Sequence, residues 1–78
     1  MPRAPAIERT LQELLISLRN EARLRQVDLA ECLGKPQSFV SKYESGERRL
    51  DLTEVYSVCK ALNISFVAFA ERLEKTLK

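Results

Sequence analysis

Apolar residues recur every three or four positions along most of this chain, the period of helices that bury one face. Ile7, Leu11, Leu14, Leu15, Leu18 and Ala22 mark out a long amphipathic helix over about residues 6–22. Pro5 suits its start, because a first-turn N–H has no partner in any case. Val27, Leu29, Ala30 and Leu33 predict a shorter helix from Gln26 to Leu33, stopped by Gly34. Pro36 opens a third helix, about 36–44, with Phe39 or Val40 and Tyr43 inward and Ser45-Gly46 at its end. Asp51 and Glu54 stand at N-cap and N3 spacing ahead of a fourth helix that runs to about Leu62 through Val55, Val58 and Cys59. Asn63 closes it, and Ser65 caps a fifth helix, about 66–76, whose stripe is Phe66, Phe69, Ala70, Leu73 and Leu77. No strand pattern appears, so the expected fold class is all-α. Residues 1–5 read as a loose N-terminus and residues 6–78 as a single domain.

The composition, 45% apolar and 31% charged, is that of a soluble globular domain. No apolar run is long enough to span a bilayer, and the first residues lack the apolar core of a signal peptide. The expectation is therefore a cytoplasmic, nucleoid-associated protein with no membrane partner. Cys32 and Cys59 stand alone in a chain without histidine, so no metal site is expected. Both thiols read as small, reduced core residues. Without histidine, and without a Gly-rich phosphate loop, an enzyme is not expected, nor are a cofactor or a small-molecule substrate.

The net charge is only +2, but its distribution is uneven. Residues 1–25 carry five Arg against three Glu, residues 35–49 carry four basic against two acidic residues, and residues 51–78 are balanced at four each. Any surface that faces phosphate should lie in the first two-thirds.

The stretch from Gln26 to Glu44 carries the most information. Two short helices flank a Gly-containing turn, with Ala30 four positions before Gly34, where crossing helices come close and a larger side chain would hold them apart. The exposed residues at the start of the second of these helices, Gln37 and Ser38, and one turn later Ser41 and Lys42, are hydrogen-bonding types. Gln grips adenine in a bidentate manner, Lys donates to guanine or phosphate, and Ser bonds either kind of edge. Arg48 and Arg49, in the loop that follows, are candidate phosphate contacts.

The run from Leu24 to Arg49, LRQVDLAECLGKPQSFVSKYESGERR, resembles the Cro/phage-repressor helix-turn-helix family, also called the xenobiotic-response-element (XRE) family. The resemblance extends over about residues 10–70. It implies a five-helix, lambda-repressor-like DNA-binding domain with the helix-turn-helix at the second and third helices. Carried over residue by residue, it implies that Gln37, Ser38 and Lys42 read base edges of double-stranded DNA. Gln26 would touch the DNA backbone and brace Gln37, and Ser41 and Ser45 would hold phosphate. Arg19 and Glu44 match a structural ion pair between the first helix and the recognition helix. Two positions depart from the pattern. Arg25 replaces the usual Ser/Thr cap and is itself a candidate phosphate contact, and Leu50 replaces a common Pro.

Phe66, Val67, Phe69 and Leu73 are more apolar surface than one short helix hides in so small a domain, so part of this set is expected to form a homodimer surface. A dimer would read two half-sites of a palindromic operator about 34 Å apart. The expected function is a transcription regulator, a repressor. The competing reading is an antitoxin-like or protein-interaction module that uses the same fold as a scaffold.

Overall fold

The computed structural model describes residues 5–77, which form five helices: α1 (Pro5–Glu21), α2 (Gln26–Leu33), α3 (Gln37–Ser45), α4 (Leu52–Ala61) and α5 (Phe66–Leu77). The expected loose segment lies outside the described residues except for Pro5, which is the first residue of α1. Among the described residues there is no strand. α3 begins one residue later than expected, because Pro36 is extended, at ψ 157°, and serves as the N-cap.

Three helices stop in the same way, and only two of those stops were legible. After α2, Gly34 takes φ +67°, its N–H donates to Glu31 O, and the N–H of Lys35 donates to Ala30 O. Asn63, at φ +61°, repeats this pair of bonds after α4. After α1 the left-handed residue is Arg23, at φ +60°, with its N–H on Asn20 O and the N–H of Leu24 on Arg19 O. These are the paired bonds of a Schellman motif, which ordinarily selects Gly. The sequence places no Gly there, so α1 ends at Glu21 and leaves Ala22 exposed.

The core draws on every helix: Leu14, Leu15 and Leu18 from α1, Leu29 and Ala30 from α2, Val40 and Tyr43 from α3, Val55, Val58 and Cys59 from α4, and Phe69 from α5. Leu62, just past α4, completes it. Leu15, Leu29, Val40 and Val58 are fully buried, each contributing about 1.5–3 kcal/mol through apolar burial. Ala30, 1% exposed, sits at the close approach of α2 and α3.

Three expectations are corrected by this packing. Val40 rather than Phe39 faces inward with Tyr43, and Phe39 is half-buried. Cys32 is exposed while Cys59 is buried, because the buried face of α2 is set by Leu29 and Ala30 and Cys32 lies off that stripe. Phe69 is only 3% exposed and belongs to the core of its own chain, so it is not available as a dimer surface. Phe66 and Leu73, on either side of it, are half-buried, and Val67 is 67% exposed.

Candidate nucleic-acid interface

α3 turns Val40, Tyr43 and Glu44 inward, so Gln37, Ser38, Lys42 and Ser45 are exposed, with Ser41 half-buried beside them. The side chains of Ser38, Ser41 and Lys42 make no hydrogen bond or ion pair to other described residues, which leaves their polar atoms available. Ser45 Oγ instead donates to Lys42 O at 3.1 Å and to Glu47 Oε2 at 3.3 Å, closing the last turn of the helix.

Behind this face runs a chain of polar contacts that crosses three helices. Arg19 on α1 donates through Nε to Glu44 Oε2 at 2.7 Å and through Nη2 to Glu44 Oε1 at 3.0 Å. Its third contact, Nη1 to Leu24 O at 2.8 Å, pins the connection between α1 and α2. Glu44 Oε1 also accepts from Gln26 Nε2 at 2.9 Å, and Gln26 Oε1 accepts from Gln37 Nε2 at 3.3 Å. The ion pair is largely shielded, with 13% and 6% of the two side chains exposed. The hydrogen bonds to Glu44 raise the pKa of Arg19 against the opposing effect of burial, so the guanidinium keeps its charge. Next to it, the Tyr43 hydroxyl is buried and makes no hydrogen bond among the described residues. Burial first, and the charge of Glu44 second, push its pKa well up.

The three arginines expected at phosphates are each already paired with a carboxylate of the same chain. Arg25 donates through Nε and Nη2 to the two oxygens of Asp28, both at 3.0 Å, while its own N–H donates to Asp28 Oδ2 at 2.9 Å. A guanidinium has no acceptor, so only this half of a capping box forms at the start of α2. Arg48 grips Glu54 with bonds of 3.0 and 2.7 Å and lies over the Phe39 ring, 4.9 Å from its centre. Lys35 Nζ approaches the same ring at 5.5 Å, so Phe39 holds two cations. Arg49 pairs with Glu8 at 2.8 Å. The partners Asp28 and Glu54 were legible as near neighbours in sequence, whereas Glu8, at the start of α1, was not.

A second surface lies on another side of the molecule. Leu11, Leu50, Leu52, Phe66, Leu73 and Leu77 line an apolar groove between α1, α4 and α5, and Leu52 is 70% exposed at its edge. Among the described residues no three His, Cys, Asp or Glu are gathered as metal ligands, and no single helix is long and apolar enough to cross a membrane.

A model of the helix-turn-helix family matches residues 15–69. The fold is similar to that of an XRE-family like protein from Pseudomonas syringae pv. tomato, with a TM-score of 0.87 and 39% identity over 95% of this chain and 90% of that one. It is also similar to the wild-type restriction-modification controller protein C.Esp1396I, with a TM-score of 0.85 and 25% identity over 91% of this chain and 92% of that one. The same controller protein as a tetramer in complex with its natural 35 base-pair operator gives a TM-score of 0.82 and 26% identity, over 88% and 91% of the two chains. No curated protein matches the chain significantly.

Proposed function

The chain belongs to the XRE-type helix-turn-helix family of DNA-binding transcription regulators, and from that premise we propose that it is a repressor that binds a palindromic operator as a homodimer. The observation that carries the reading is the exposed polar row of α3, Gln37, Ser38 and Lys42, with Gln37 braced from behind by Gln26. A helix that docked a protein would carry apolar or aromatic anchors on this face, whereas hydrogen-bonding side chains suit base edges. Gln26, Ser41 and the α3–α4 loop, with Arg48 and Arg49, flank the row and would meet phosphates on either side of the groove. Arg25 would join them by exchanging Asp28 for a phosphate.

Two features support the homodimer. One module of this kind buries only about 600–1,000 Å² on DNA, so a second copy doubles a modest contact. The apolar groove beside Leu52, Val67 and Leu77 offers a surface for that second copy. The operator complex of the similar controller protein, a tetramer on DNA, is consistent with assembly of such domains on a shared site.

Selection from a pool of random duplexes at two salt concentrations, with Gln37→Ala alongside, tests the proposal. A two-fold symmetric site for the wild type, with one position per half-site lost in the variant, is the expected result. Weak binding indifferent to sequence would refute it and point to a scaffold role for the fold.

A further inference from the structure

A glutamine side chain has two ends of opposite hydrogen-bonding character, and which end faces a base decides which base it accepts. Gln37 is exposed at the start of α3, and its amide is not free to choose. The choice is made four residues away in the hydrogen-bond chain, at an ion pair that never reaches the surface of the groove.

The Glu44 carboxylate paired with Arg19 can only accept hydrogen bonds. Gln26 lies 2.9 Å from Glu44 Oε1, so the end of its amide that faces inward must be the NH2 group. Its oxygen is thereby turned outward, where it sits 3.3 Å from Gln37 Nε2. An oxygen there fixes the second glutamine as well, since only the NH2 end of Gln37 can meet it. One N–H of Gln37 is spent on Gln26, and what remains toward solvent is its other N–H next to its carbonyl oxygen. That donor and acceptor pair matches adenine, which offers the N7 acceptor and the N6 donor, and mismatches guanine, whose N7 and O6 both accept.

We infer that Arg19 and Glu44 are specificity-determining positioning residues, which set the polarity of the Gln26–Gln37 relay and so make Gln37 select adenine over guanine. The inference rests on the DNA-reading function proposed above and names the base and the remote residues that choose it. It also makes a directional claim about inverting the relay. In Glu44→Gln, Arg19 Nε, on the shorter contact of 2.7 Å, keeps an oxygen facing it. The new NH2 group then faces Gln26, which must flip to accept, and its own NH2 turns toward Gln37. Gln37 flips in turn and presents both N–H groups to the groove, a pattern that suits guanine.

The experiment is base selection by the full chain, wild type against Gln26→Met and Glu44→Gln, with helicity checked by circular dichroism. Wild type should select adenine at the position that Gln37→Ala loses. Gln26→Met, which cuts the relay and leaves the fold's ion pair in place, should reduce adenine-over-guanine preference there on the order of ten-fold while other positions keep theirs. Glu44→Gln should reverse the preference. If Gln26→Met weakens binding evenly at all positions and keeps adenine, or if the wild type prefers guanine there, the inference is overturned while the DNA-reading function stands. If the wild type selects no site at all, both fall. Should Glu44→Gln fail to fold, Gln26→Met decides alone.

Discussion

Arg23 carries a backbone conformation, φ +60°, that an L-residue with a Cβ adopts at a cost. The Schellman bonds that follow α1 demand it, and the side chain is exposed, so nothing but the backbone constrains the choice. Arg23→Gly should therefore stabilise the fold by about 0.5–1 kcal/mol, read as a higher urea midpoint at unchanged slope. Acid should act on two carboxylates. The Arg48 hydrogen bonds, with the N–H of Asp51 second, hold Glu54 at about 2 against an ordinary 4.5, and Arg25 holds Asp28 at about 2 against 3.8. Both folded values lie below the unfolded ones, so the stability these groups contribute is complete above about pH 4.5 and is lost as pH falls toward 2. A urea midpoint that declines between pH 4.5 and 2.5, with a shallower decline in Glu54→Gln, checks this. At this scale the reading from sequence was uneven. Gln37, Ser38 and Lys42 were legible because their polarity and their helical register are local facts. The pairing of Arg49 with Glu8 was not, because forty residues of chain separate them and only the packing of α1 against the α3–α4 loop brings them together.

Helix by helix, the pattern of apolar residues located every element to within a residue or two, since α2, α3 and α4 all end or begin at Gly, Pro, Asn or Asp, which act through their own backbones. What it missed was orientation within a short helix. Eight residues make barely two turns, and Cys32 and Leu33 look alike until the crossing of α2 over α3 decides which is covered. That crossing depends on Ala30, buried to 1% exposure between the two helices. Ala30→Leu should force them apart and cost about 1–3 kcal/mol through overpacking. Because α3 would tilt as it moved, operator affinity should fall by more than the loss of folded protein explains. Thermal melts and DNA titration of the folded fraction separate the two effects.

For the molecule as a whole, thirteen basic residues against eleven acidic ones leave little excess charge. Attraction to DNA must then come from how the charges are placed, and a dimer would present that placement twice. Leu52, 70% exposed at the rim of the apolar groove, is the residue to change, since it adds little to its own core. Leu52→Glu should keep the melting temperature of the monomer within a few degrees but move the sedimentation equilibrium from dimer to monomer and weaken operator binding. Phe66 and Leu73 remain part of the same surface, while the place of Phe69 in the core could be assigned only once all five helices were packed together.

The shielded Arg19–Glu44 pair has a consequence for any attempt to treat the recognition helix as an exchangeable cassette. Moving residues 37–45 into a related scaffold transfers Glu44 but leaves Arg19 and Gln26 behind. Unless the recipient supplies a cation at the matching place on its first helix, the graft strands a shielded carboxylate, at a cost of about 3–5 kcal/mol. The unit that can be transplanted is therefore α1 through α3 together, and a library meant to reprogramme this protein should vary Gln26 along with the residues that touch DNA.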